Sequence, residues 1–125
     1  MKYLCLIYNE EKNVYAMPRD ELEAVAGECT DYDETLKRNG QFIASERLQP
    51  VNTATTIRAR EGKVSVTDGP FAETKEQLAG FYLIEERDLN EAIRVASKIP
   101  PGRLGCVEVR PVWEYKDQAI NGSDR

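Results

Sequence analysis

The sequence predicts an α+β fold in which two helices cover one face of a largely antiparallel sheet. The chain has 125 residues, of which 41% are hydrophobic, and this is enough to build one core without disulfide bonds. Several short segments are mostly apolar or alternate apolar with polar residues, as β-strands do. Two longer segments repeat apolar residues at steps of three and four, which is the spacing of one helical face.

The first part of the chain predicts a strand, a helix and a second strand. Lys2 to Tyr8 is mostly apolar, as expected for a central strand, and Gln41 to Leu48 is the second strand. Between them, Arg19 to Arg38 is predicted to be helical, with Pro18 in its opening turn and Gly40 at its exit. The residues of its apolar face are Leu22, Val25, Ala26, Cys29, Tyr32 and Leu36.

A hairpin is predicted next. Thr55 to Arg60 and Lys63 to Asp68 both alternate, and Glu61-Gly62 between them supplies a tight turn. The alternation predicts one apolar and one polar face. Gly69-Pro70 then ends the returning strand and opens a polar loop.

The last part of the chain predicts another strand, helix and strand. Ala79 to Glu85 and Cys106 to Trp113 are the strands, and Leu89 to Lys98 is the helix. Asp88 and Glu91 have the spacing of an N-cap and its third-residue partner. The apolar face of this helix is predicted to consist of Leu89, Ala92, Ile93 and Ala96.

This order of elements predicts a ferredoxin-like two-layer sandwich with an inserted β-hairpin. Because two helices cover only one face of the sheet, the other face needs a cover, and a second copy of the chain is the simplest one. We therefore expect a homodimer whose sheets pack face to face. A polar open face would remove that need. The domain is predicted to span residues 1–115, followed by a polar tail over residues 116–125.

The composition excludes several classes of function. The chain has no histidine, which excludes imidazole-based triads and His-dependent zinc motifs, so proton chemistry is left to carboxylates, Lys, Tyr or Cys. A net charge of -5 argues against nucleic acid as a partner. Cys5, Cys29 and Cys106 have no paired spacing, so we expect thiols in or near the core rather than a disulfide framework.

No segment of the sequence predicts a membrane partner. The longest apolar stretch, Tyr3 to Tyr8, is too short to cross a bilayer. The residues after Met1 lack the basic start and long apolar region of a secretory signal. We therefore expect a cytoplasmic location.

One run of residues resembles a known family. Val66-Thr67-Asp68-Gly69-Pro70-Phe71-Ala72-Glu73-Thr74-Lys75-Glu76-Gln77-Leu78-Ala79-Gly80-Phe81-Tyr82 is similar to the signature of the DGPF subgroup of YCII-related proteins. Val107 to Val112 resembles the closing strand of that subgroup, and Met1 to Leu4 and Thr53 to Thr56 fit as well.

The resemblance implies a dimeric ferredoxin-like α+β barrel with a cleft between sheet and loops. Some relatives look like small enzymes that act on ring compounds with a His and Asp pair; Asp68 matches the Asp, but this chain has no His. DGPF-like domains also occur fused to, or encoded beside, sigma factors of the extracytoplasmic-function type. This association implies a regulatory role instead.

The candidate catalytic residue is Asp68, which ends a strand before a Gly-Pro turn and is placed for proton transfer at the rim of the sheet. The alternative is that Asp68 only caps the turn by accepting backbone N–H bonds. Glu73 and Lys75 follow on the same loop, where a Lys beside two carboxylates would bind an anionic substrate. The alternative for them is a solvated, ion-paired loop.

Arg110 and Tyr82 are the other candidate substrate-binding residues. Arg110, with Arg58 and Arg60, lies on a polar strand face and would clamp a carboxylate; the alternative is an ion pair with Glu46 or Glu108. Tyr82, with Phe71 and Phe81, would line a pocket for an aromatic ligand; the alternative is a place in the core.

Two functions follow from these residues, and the sequence leaves open whether the chain is an enzyme. The first is a site for a small anionic or aromatic metabolite in a cleft at the sheet rim, with Asp68 as acid or base, Lys75 orienting an anionic group and Glu73 tuning both. This site requires no cofactor and no metal. The second is a non-catalytic regulatory or interaction module that senses a metabolite or engages a sigma factor.

Overall fold

The computed structural model describes residues 1–115, so the predicted polar tail lies outside the described residues. It has three α-helices: α1 (Glu11–Val14), α2 (Arg19–Arg38) and α3 (Leu89–Ala96). Short 3-10 helices span Val51–Thr53 and Pro100–Leu104. The strands are β1 (Lys2–Asn9), β2 (Phe42–Arg47), β3 (Thr55–Arg60), β4 (Lys63–Asp68), β5 (Gln77–Glu85) and β6 (Gly105–Pro111). The sequence did not predict α1 or the two 3-10 helices.

Four strands form an antiparallel sheet in the order β2-β5-β1-β6, and β3 and β4 form a separate two-stranded sheet. The predicted α+β class is therefore confirmed, and the arrangement is compatible with a ferredoxin-like fold. Within residues 1–115, no helix is long and apolar enough to cross a membrane.

The core lies between the four-stranded sheet and the helices. Tyr3, Cys5 and Ile7 of β1 alternate with half-exposed residues, because successive side chains of a strand point to opposite faces. Tyr82 and Ile84 of β5 lie beside them on the same face. The helical contribution to this cluster consists of Leu36, Ala92, Val95, Ala96 and Ile99.

Helix α3 begins as predicted but turns a different face to the core. The Oδ1 of Asp88 accepts a hydrogen bond from the backbone N–H of Glu91 at 2.9 Å, which confirms the N-cap. The predicted apolar face is wrong in part, because Leu89 and Ile93 are 48% and 49% exposed while Val95 is buried. The face of α3 that contacts the core is therefore rotated by part of a turn from the predicted face, and it is centred on Ala92 and Ala96.

Helix α2 has the predicted bounds, but most of its apolar face is not fully buried. Leu36, near its C-terminal end, is buried, and Tyr32 packs against the core. Leu22, Val25 and Cys29 are only half-buried. The helix packs tightly on the sheet at one end, and the rest of its apolar stripe faces a cavity.

The β3–β4 hairpin matches the prediction in its register. Glu61 and Gly62 both have positive φ, 51° and 78°, as a type I′ turn requires. Ile57 pairs with Val66, so the apolar residues share one face as expected. That face is largely exposed in the single chain.

Two glycine substitutions test the packing. Gly27 is exposed on α2 with open space around it, so Gly27→Ala is expected to stabilise the chain by about 0.5–1 kcal/mol through helix propensity. Gly105 begins β6, where a Cβ would lie 1.9 Å from the backbone oxygen of Tyr8. Gly105→Ala is therefore expected to destabilise by about 1–3 kcal/mol. Urea unfolding at one protein concentration measures both, and shifts of the same sign would contradict this account.

Candidate functional site

A cavity with a volume of about 270 Å³ lies between α2 and the four-stranded sheet. Its floor includes Ile7 of β1, Gly80 of β5 and Ser45 of β2, and Leu22 and Val25 of α2 cover it. Helix α1 and the 3-10 helix Pro100–Leu104 contribute to its ends. The half-buried stripe of α2 is therefore one side of this cavity.

Gly80 leaves space at the centre of the floor. It pairs with Ile7 on one side and with Arg47 on the other, and it has no side chain to fill the space under α2. A Cβ at this position would lie 2.6 Å from the backbone oxygen of Glu46. The close approach of β2 and β5 thus requires glycine here, and the cavity is one consequence.

A polar cluster bounds one side of the cavity. The Oδ1 of Asp33, on α2, accepts a hydrogen bond from the hydroxyl of Tyr82, and its Oδ2 accepts one from the Oγ of Ser45 at 3.4 Å. Ser45 and Tyr82 are register partners in β2 and β5, so one carboxylate on the helix bridges two neighbouring strands.

Burial favours the protonated forms of the Tyr82 hydroxyl and of the nearby Cys29 thiol. Removal from water and, next, the hydrogen bond to Asp33 raise the pKa of Tyr82 far above its ordinary value. The pKa of the Cys29 thiol is raised by burial first and by the nearby Asp33 second. Tyr82 is therefore a neutral hydrogen-bond donor, and Cys29 is a thiol rather than a reactive thiolate.

Asn9 is a buried polar residue whose side chain has no partner in residues 1–115. It lies at the end of β1, lines the cavity, and is 5% exposed. Its backbone pairs with Gln77 and Gly105, but none of the side-chain hydrogen bonds in the described chain involves its amide. An unsatisfied buried amide costs about 1–3 kcal/mol, so this amide is placed where a ligand would satisfy it.

Arg47 is the cation of the cavity. It ends β2 opposite Gly80, is exposed, and forms no ion pair within residues 1–115. Glu11, which also lines the cavity, is already engaged, because its Oε2 accepts a hydrogen bond from the backbone N–H of Val51 at 2.9 Å. The guanidinium of Arg47 is therefore available to an acidic group.

Of the five predicted site residues, Tyr82 lines this cavity and the other four lie elsewhere. Asp68 ends β4, is exposed, and accepts no hydrogen bond through its side chain in the described residues. The turn after it is held by other groups: the N–H of Gly69 donates to Ala54 at 2.7 Å, and the Oγ1 of Thr56 donates to the Gly69 oxygen at 2.8 Å. Side-chain capping by Asp68 is not seen.

Glu73, Lys75 and Arg110 are also outside the cavity. Glu73 and Lys75 are exposed on the loop after β4, and the Nζ of Lys75 lies 3.9 Å from the Oε2 of Glu10. The Nε of Arg110 is 3.3 Å from the Oε2 of Glu108, the ion pair weighed as the alternative to substrate binding. Within residues 1–115, no hydrogen bond or ion pair joins any of these three residues to Asp68.

The other polar residues of the cavity were not predicted, although some had a sequence signal. Asp33 lies four residues after Cys29 and interrupts the apolar stripe of α2. Asn9 continues the inward-pointing alternation of Tyr3, Cys5 and Ile7. A polar residue at an inward position is the signal that identifies both. Within residues 1–115, no group of three or more Cys, Asp or Glu side chains is arranged to hold a metal ion.

The Tyr82–Asp33 contact predicts a pH dependence. Because the folded chain raises the pKa of Tyr82, the unfolded chain releases this proton first as pH rises past about 10. The stabilisation is complete below that pH and is lost above it. Wild type should lose stability between about pH 9 and pH 11 more steeply than Tyr82→Phe. Equal slopes in chemical unfolding at several pH values would contradict this.

Comparison with known proteins supports the sequence resemblance. The family model for the YCII-related domain matches residues 1–116. An uncharacterised protein from Rhizobium meliloti (strain 1021) is 39% identical over 118 residues, which cover 93% of this chain and 95% of the relative. The DGPF subgroup stays a prediction. The chain belongs to the YCII-related domain family.

Proposed function

We propose that the chain binds a small organic molecule with an acidic group in the cavity between α2 and the sheet. The observation that supports this most is the side-chain amide of Asn9, which has no hydrogen-bond partner in the described part of the chain, is 5% exposed and lines the cavity. Native proteins seldom leave such a group unsatisfied without a functional reason. A ligand that hydrogen-bonds Asn9 supplies that reason.

The rest of the cavity suits such a ligand. Leu22, Val25 and Leu48 provide apolar surface, and Arg47 provides a positive charge at an exposed position. A mostly apolar cavity with a few convergent polar groups is the usual form of a small-molecule site. Its volume of about 270 Å³ is at the small end for such sites and fits a compact metabolite.

Binding is the function that this geometry favours. Asp68 lies outside the cavity in the single chain, and acid–base chemistry by Asp68 with Glu73 and Lys75 stays a prediction. The predicted sigma-factor partner and the cytoplasmic location likewise rest on the sequence.

We also propose that the chain forms a homodimer through the open face of its four-stranded sheet. Leu4 and Leu6 of β1 pair with Leu83 and Phe81 of β5 on the face away from the helices, and all four are only half-buried. Charged residues such as Glu108 and Arg110 occupy the outer strand of the same face. An apolar centre with a polar rim is typical of a protein interface.

The binding proposal is tested by Asn9→Leu. Saturation-transfer NMR with a library of small organic acids should detect binding to wild type and none to the variant. The variant should also unfold at a higher urea concentration, because it removes an unsatisfied buried amide. The expected increase in the free energy of unfolding is about 1–3 kcal/mol. Asn90→Leu, at an exposed position on α3, is the matched control and should keep wild-type binding. Binding that survives in Asn9→Leu would refute the proposal.

The dimer is tested by sizing with light scattering. Wild type is expected at twice 14.2 kDa, and Leu6→Lys is expected at 14.2 kDa because it places a charge at the centre of the open face. Ile57→Lys changes an exposed apolar residue of the hairpin instead and should leave the mass unchanged. A wild-type mass of 14.2 kDa would show that the dimer is wrong.

A further inference from the structure

We infer that the ligand of this cavity is a small carboxylic acid that carries a second, hydrogen-bond-donating group, an amino or hydroxyl group, close to its acid group. This inference rests on the proposed function and names the chemical class of the ligand. It follows from how the cavity places an acceptor, a cation and an amide along the strands.

The register of the sheet fixes the order of these groups. The pair Ser45–Tyr82 and the pair Arg47–Gly80 are two residues apart along β2 and β5, so their side chains point to the same face about 7 Å from each other. Asp33 is hydrogen-bonded to the first pair. The acceptor and the cation therefore flank the space above Gly80, and a short molecule can reach both.

Asp33 selects a donor on the ligand. A carboxylate has about four acceptor positions, and the described contacts of Asp33, from Tyr82 and Ser45, use two of them. The pKa of Tyr82 is raised, so its hydroxyl keeps its proton, donates a hydrogen bond to Asp33 and adds no negative charge. The remaining acceptor positions suit an ammonium or hydroxyl group of the ligand.

The charges that line the cavity disfavour a ligand with several negative charges. Glu11, Asp33 and Glu46 contribute to the lining, whereas Arg47 is the one cation among the described residues that line the cavity. A single acid group is matched by Arg47, but a second negative charge would face carboxylates. A dicarboxylate or inorganic phosphate should therefore bind more weakly than a monocarboxylate that carries a donor.

Asn9 and the apolar residues complete the recognition. Asn9 lies two residues beyond Ile7, the β1 partner of Gly80, so its amide is on the far side of the space from Asp33. The amide both donates and accepts, and its N–H is suited to an oxygen of the acid group beside Arg47. Leu22, Val25 and Leu48 then contact the apolar body of the ligand.

Four probes with one isobutyl body separate the two ends of the ligand: leucine, 2-hydroxy-4-methylpentanoic acid, 4-methylpentanoic acid and 3-methylbutylamine. A parallel set on a benzyl body consists of phenylalanine, 3-phenyllactic acid, 3-phenylpropionic acid and phenethylamine. Calorimetric titration of the full chain is expected to give about 10- to 100-fold tighter binding for the amino or hydroxy acid than for the plain acid or the amine. Comparison of the amino and hydroxy acids shows which donor is preferred.

Two variants assign each end of the ligand to its residue. Asp33→Asn should remove the preference for the donor group and keep binding of the plain acid. Arg47→Gln should remove the preference for the acid and leave the amine as the better probe. Asp31→Asn, exposed on α2, and Arg60→Gln, exposed on β3, are the matched controls and should behave as wild type.

The outcomes separate this inference from the proposed function. One outcome would overturn the ligand class and leave the binding cavity in place. In that outcome the plain acids bind as tightly as the amino and hydroxy acids, and binding is lost in Asn9→Leu. Tighter binding of succinate or inorganic phosphate would overturn it in the same way. Failure of every probe and of the organic-acid library to bind would refute both. The probe series is measured on wild type. It can therefore refute the inference even if one of the variants does not fold.

Discussion

The contact between Asp33 and the paired residues Ser45 and Tyr82 ties α2 to the sheet, and the layout of the molecule depends on it. On one side of this contact, Leu36 and Tyr32 pack into the core. On the other side, Leu22 and Val25 face the cavity. Asp33 is half-buried, and its hydrogen bonds from Tyr82 and Ser45 offset part of the cost of removing its carboxylate from water. The helix is therefore held at a polar contact, and beyond it the space remains open.

The cavity also depends on a constraint of the backbone. Gly80 allows β2 and β5 to approach where a Cβ would meet the oxygen of Glu46. The same absence of a side chain leaves the floor of the cavity empty. The lack of a side chain at Gly80 thus has two effects. It lets β2 and β5 approach each other, and it leaves space above the sheet at this position.

Two side chains that line the cavity lack the polar partners that the described chain gives to most such groups. Asn9 is buried without a side-chain partner in the described chain, and Arg47 is a cation with no ion pair there. The buried amide would be a liability in a protein whose residues serve only stability, whereas Arg47 is exposed to solvent. Asn9 and Arg47 line the same cavity, and this shared location supports the proposed binding site.

The sequence by itself determined the six strands and the helices α2 and α3, because hydrophobic period, caps and turns act over a few residues. It predicted the bounds of α2, the Asp88 cap of α3 and the register of the β3–β4 hairpin. It did not determine which stripe of α3 is buried, or that Asn9, Asp33 and Arg47 line one cavity. Those features depend on strand order and on the approach of α2 to the sheet, which join residues far apart in the chain. Only the tertiary structure determined these features, because a local sequence pattern does not show which distant side chains come together around a buried polar group.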